Sequence, residues 1–242
     1  MKEYLSHLKA PDRRTGLILV LSAILPVLYV YNGIPSFYLG TVAPALGLDG
    51  NPMADMYAQW YRFGSVFLLF CLVPIIAGKA VLKEGPGRFG FAVGDWKTGL
   101  KVLAIALVVA APFLYMSAGQ ADFQAEYPLS KLAVREPGRF AFYEFTYVFY
   151  YIGWETLFRG YMLFGLKDRY GSFGAIMFQA FPSILVHIGK PVGEIWGAVA
   201  AAFLLGAFAL RTRSVLYVFL FHYAIGVLMD VFCAFRGGLL GG

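Results

Sequence analysis

From residue 15 onward, apolar runs of about span length alternate with short polar, Gly- and Pro-rich connectors. A membrane-crossing helix needs roughly 20 mainly apolar residues. On that criterion the pattern predicts seven spans, at 15–30, 62–81, 100–117, 140–166, 173–188, 194–210 and 214–235, of which the first, fifth and sixth are short. Residues 33–52 read as a loop or a re-entrant segment at the interface, and residues 83–99 as a turn-rich loop. No internal repeat, low-complexity tract or soluble segment breaks the pattern. The expected architecture is all-α, a single polytopic transmembrane helical bundle over residues 1–242.

Composition agrees with the pattern. Only 14% of the chain is charged and 60% is hydrophobic, against about 25% charged residues in a soluble domain. The formal net charge of +6 is read as membrane topology, since basic residues gather in cytoplasmic loops, and not as nucleic-acid binding. With the N-terminus inside, thirteen Lys and Arg fall in inner segments (1–14, 79–101, 167–169 and 211–213). Six fall outside, namely Arg62, Lys131, Arg135, Arg139, Lys190 and Arg236. The expectation is a multi-pass protein of the cell (plasma or inner) membrane, N-terminus cytoplasmic and C-terminus outside. The basic start, with Lys2, Lys9, Arg13 and Arg14, is followed by no A-x-A-like cleavage site and reads as a retained first span. Cys71 and Cys233 both lie in apolar runs and point to neither a disulfide nor a thiolate metal site.

In such a chain the ionisable residues within spans carry the information, because each costs a few kcal/mol unless it faces a partner or water. They are Glu144, Glu155, Arg159, His187, His222 and Asp230. At about 1.5 Å per residue, Glu155, His187 and His222 lie roughly 18, 22 and 14 Å from the inner ends of their helices. A shared polar cavity accounts for that common depth. Glu155 and Arg159 are spaced i, i+4 and pair on one helix face, and the arginine keeps the glutamate ionised. On the same helix Glu144 falls about 20° and Tyr151 about 40° from the azimuth of Glu155, a stripe expected to face the bundle interior.

Four readings of these residues compete. An intramembrane ion pair with hydrogen-bonded histidines would be purely structural. A proton-coupled transporter would place Glu and His at midplane. A zinc held by Glu155, His187 and His222 matches a known donor set, but the one-helix spacing H-E-x-x-H is absent, so no cofactor or metal is expected. A fourth reading comes only from a resemblance to a known family.

The stretch "ETLFRGYML" from Glu155, with His187 in "FPSILVHIGKP" and His222 in "FLFHYAIG", resembles the CPBP or Abi family of glutamic intramembrane proteases, which includes the type II CAAX prenyl endopeptidases. The resemblance covers a core of about 140–232. It implies an endopeptidase that cleaves a membrane-anchored protein or peptide near its anchor. It also implies a glutamate acting as base on a water, and histidine and asparagine stabilising the oxyanion. On that pattern Glu155, Arg159, His187 and His222 are the catalytic candidates, with Glu144, Tyr151, Trp154 and Asp230 lining the cavity. Trp154 stands where the family has its first motif glutamate, Ser183 where it has Phe (with Phe181 nearby), and Gly226 where it has Asn or Asp. Asp230, eight residues after His222, is the expected stand-in for that last residue. A non-catalytic relative that binds a membrane substrate or partner through the same cavity is the alternative.

Overall fold

The computed structural model describes residues 11–239, so Lys2 and Lys9 of the basic start lie outside the described residues. Helix α1, Arg13–Asn32, is capped by Asp12, whose carboxylate accepts the Thr15 amide at 2.9 Å. Short helical turns at Pro35–Phe37, Tyr38–Val42 and Ala43–Ala45 follow in place of a plain loop. Helix α2 runs over Ala54–Leu82 with π-helical stretches at Phe67–Leu72 and Gly78–Leu82. It begins eight residues before the expected start. Its first turns carry Tyr57, Gln59 and Trp60, whose polar atoms mask the helix from an apolar-run criterion.

The 83–99 connector contains a 3₁₀ turn, Pro86–Phe89, and ends at Asp95, the cap of α3 (Trp96–Ser117). A short helix α4 (Ala121–Glu126) precedes α5 (Pro137–Glu155), which continues without a break into a π-helical segment, Thr156–Phe164. Helices α6 (Gly165–Leu185), α7 (Val192–Thr212) and α8 (Leu216–Arg236) complete the chain.

Among the described residues, α1, α2, α3, α7 and α8 are long and apolar enough to cross a membrane. The expected fourth and fifth spans are helical as well, but they do not form clean apolar runs. Charges at Glu144, Glu155 and Arg159 interrupt the one, and the helix that holds the other is kinked just before it at Gly171, whose φ of 71° is a left-handed conformation suited to glycine.

The fourth forms the enclosed part of the bundle, whereas Phe173, Phe181 and Leu185 of the fifth are mostly exposed. Every residue from Thr156 to Phe164 is buried, as befits a helix surrounded on all sides. Ile18 of α1, Val66 and Phe70 of α2, and Tyr217 and Val218 of α8 join Leu157, Phe158 and Leu163 in one core. Large apolar side chains such as Val27, Val108, Phe113, Phe145 and Leu204 are more than half exposed, which gives the bundle a greasy outer face. Helix α3 is the most peripheral span, with only 6% of its apolar window buried.

Candidate active site

Helix α5 delivers the central groups. Tyr143, Tyr147, Tyr151 and Glu155 recur at every fourth position and all turn inward. Phe63 of α2 stacks on Tyr147 with ring centres 4.6 Å apart, and Tyr150 stacks on Trp154 at 5.5 Å. This aromatic ladder fixes the rotation of α5 against α2. The helix then widens into its π-helical turns at the residue after Glu155; such bulges are frequent at functional sites.

Glu155 is fully buried. Its Oε1 accepts two hydrogen bonds, from Arg159 Nη1 at 3.3 Å and from His222 Nδ1 at 2.6 Å. Among the described residues its Oε2 has no partner, and neither has Arg159 Nε. A carboxylate accepts only, so His222 donates through Nδ1 and, when neutral, its Nε2 is left as an acceptor. His187 is fixed in the same tautomer: Nδ1 donates to the Ser183 carbonyl at 2.7 Å. Trp154 stands edge-on to both histidines, 5.2 Å from His187 and 6.3 Å from His222. Phe181 is 60% exposed and takes no part, so the aromatic neighbour of His187 is Trp154.

Tyr151 meets the His222 ring at 4.8 Å. A β-carbon placed on Gly226 would lie 1.9 Å from the Tyr151 hydroxyl. Glycine is therefore required at 226 for Tyr151 to hold this position, and the hydroxyl fills the space that a side chain at 226 would enter.

Two separate cavities are lined by these groups. A polar one of about 40 Å³ is lined by His187, His222, Tyr151 and Trp154, together with Arg62, Lys190 and Glu194; it has room for a few waters with several polar partners. An apolar one of about 390 Å³ touches Glu155 and Thr156 from the other side and is otherwise walled by Phe91, Val93, Ile152, Val215 and Phe219. The wall at 90–93 belongs to the connector that composition marks only as a turn-rich loop. Val215 N donates to Gly90 O at 3.0 Å and the Tyr217 hydroxyl to Val93 O at 2.7 Å, strapping it onto the start of α8. The sequence signal for that contact was a lone tyrosine in the first turn of an apolar helix.

Glu144 and Asp230 are set apart from this group. Both are buried, their carboxyls lie near one another without a well-aligned hydrogen bond, and neither lines the polar or the apolar cavity. The place beside His222 expected for Asp230 holds Tyr151 instead. At the mouth of the polar cavity, Lys190 pairs with Glu126 and the Tyr127 hydroxyl donates to Glu194 at 2.8 Å. Burial opposes ionisation of Glu126, yet Lys190, with Arg62 and Lys131, more than offsets it and holds the carboxyl below its usual range. Among the described residues no group of three His, Cys, Asp or Glu side chains is arranged to hold a metal ion. Cys71 and Cys233 are free and buried.

Fold and site together define a helical membrane protein with a buried Glu, Arg and His constellation at its centre. Residues 137–228 match the family model described as type II CAAX prenyl endopeptidase Rce1-like, a match over this segment that supports the resemblance to the CPBP or CAAX-protease family. None of the curated proteins and none of the solved structures matches the chain. The five apolar helices and this family make it a multi-pass protein of a lipid bilayer.

Proposed function

We propose that the protein is an intramembrane endopeptidase that hydrolyses a peptide bond of a membrane-anchored protein or peptide near its anchor, with Glu155 and His222 acting as one unit. The observation that carries this reading is the 2.6 Å hydrogen bond from His222 Nδ1 to Glu155, next to a cavity that accepts water. In such a pair the carboxylate fixes the tautomer and stabilises the imidazolium that forms. His222 Nε2 takes a proton from water as the water oxygen bonds to the scissile carbon. The same proton then passes to the departing amine as the C–N bond breaks. Glu155, assigned from the resemblance as the direct base, works on water through His222.

Arg159 keeps Glu155 ionised within an apolar core. His187 Nε2, free of protein partners, holds the water. Tyr151 supplies a neutral hydroxyl donor for the developing oxyanion, the part the family pattern gives to the residue at position 226. The apolar cavity takes the anchor-side portion of the substrate. No step is routed through a metal. The basic residues favour an N-terminus on the cytoplasmic side and a C-terminus outside, in the cell membrane.

The test is mass-spectrometric mapping of protein termini in membranes carrying wild type, Glu155→Gln, His187→Ala or His222→Ala, each verified as folded. One common uncleaved precursor in the variants supports proteolysis and names the substrate. Unchanged termini reject it and leave the non-catalytic binding protein or the proton-coupled transporter, which partner capture and proton flux separate.

A further inference from the structure

Arg62 sits eight residues into α2, roughly 12 Å from that helix's first residue. Its guanidinium lines the polar cavity beside His187, His222 and Lys190. Of its five N–H donors, Nη1 reaches Gln59 Oε1 at a long 3.4 Å, while Nε is buried and has no partner among the described residues. Among the described residues no carboxylate lies within 4.0 Å of it. The acids around this cavity are engaged elsewhere: Glu126 with Lys190, Glu194 with Tyr127, and Glu155 with Arg159 and His222. A cation held within a span normally finds a partner in the protein or in what the protein binds.

We infer that Arg62 is the anchor for a carboxylate of the substrate, bound in the polar cavity next to the histidines. The planar guanidinium fork matches a carboxylate in a bidentate pair, and the cavity of about 40 Å³ admits a group of that size. Arg62 lies outside the segment that matches the family, so the family match carries no role for it. The inference rests on the protease reading above and deepens it: the scissile bond sits between the apolar cavity and Arg62, and the bound carboxylate fixes how far from it the cut falls. Two sources offer that chemistry, the substrate's C-terminal carboxylate and an acidic side chain.

The test uses the full-length protein in lipid nanodiscs with three N-myristoylated peptides of one sequence. One ends as the free acid, one as the C-terminal amide, and one as the amide with a glutamate added at the penultimate position. Cleavage is measured for wild type, Arg62→Gln and Arg62→Lys, and binding by quenching of tryptophan fluorescence in Glu155→Gln, with and without Arg62→Gln. The expected result is a preference of about tenfold or more for a carboxylate-bearing peptide over the plain amide, the scale of one charge-assisted hydrogen bond. That preference should be abolished in Arg62→Gln and partly kept in Arg62→Lys. Which peptide is preferred tells the terminal carboxylate from the side chain. Cleavage without a carboxylate preference, or a preference unchanged in Arg62→Gln, overturns the inference and leaves the protease reading standing. Carboxylate-selective binding lost in Arg62→Gln without any cleavage upholds the anchor and overturns the protease. Neither binding preference nor cleavage overturns both.

Discussion

Glu155 Oε1 receives the Nδ1–H of His222 at 2.6 Å, while the other oxygen of the same carboxylate has no partner among the described residues. The two residues are sixty-seven positions apart, on α5 and α8. If they work as one unit, their losses do not add. Glu155→Gln and His222→Ala are each expected to lower kcat by about 10²–10⁴, and the double variant by little more than the worse single one. Single-turnover cleavage of the precursor identified by terminus mapping measures all three. Additive losses would mean two separate roles.

Tyr151 and Gly226 give a second, linked expectation. Tyr151→Phe removes one donor from the oxyanion and should cost about 10²–10³ in kcat with KM little changed. Gly226→Ala leaves the hydroxyl in place chemically but places a methyl 1.9 Å from it, so it should reproduce the loss. Retained activity in both would exclude Tyr151 as the donor.

Arg159 is buried and its partner Glu155 equally so. Removing one member of a buried pair leaves an uncompensated charge, at a cost of about 3–5 kcal/mol. Arg159→Ala is therefore expected to unfold far below the wild type in a thermal denaturation followed in detergent, whereas Arg88→Ala, at an exposed ion pair with Asp168, should shift the midpoint hardly at all.

A pH effect is expected away from the membrane interior, at Asp95. The side chain and amide of Thr98, then Arg211, hold its carboxyl below the usual carboxylate range. Because the folded value is lowered, this stabilisation is present above the unfolded value of about 3.9 and disappears as pH falls through the folded one. The melting midpoint should drop on acidification below about pH 4. Asp95→Asn, which cannot titrate, should flatten that part of the curve; an unchanged slope would remove Asp95 from the acid transition.

Long apolar runs made the helices legible in advance, and the rarity of charge within them singled out Glu155, Arg159, His187 and His222. The i, i+4 spacing of Glu155 and Arg159 foretold their ion pair. What spacing along one helix does not carry is the approach of another. Asp230 lies on roughly the same side of α8 as His222, yet two further turns take it away from the cavity to Glu144. The role of Gly226 became visible only with Tyr151 packed against it, because an absent side chain leaves no mark in a pattern of polar and apolar positions. The 90–93 wall of the apolar cavity was hidden for a different reason: it is held by backbone carbonyls, which every sequence possesses. Arg62 was counted as a topological charge, and nothing in α2 alone distinguishes a cation facing a cavity from one facing lipid headgroups.

A larger greasy cavity reaches Glu155 and a small polar one reaches its partner His222, and on the protease reading this places a demand on whatever is cut between them. A peptide in helical form has each interior carbonyl committed to an amide four residues on, and in a bilayer those bonds are not given up cheaply. A chain threaded from the apolar side to the polar one must be extended at the point of passage. On the protease reading proposed above, the substrates are segments already unwound or easily frayed, those with glycine, proline or a chain end close to the bilayer surface, and stable helices are passed over however often they collide with the protein.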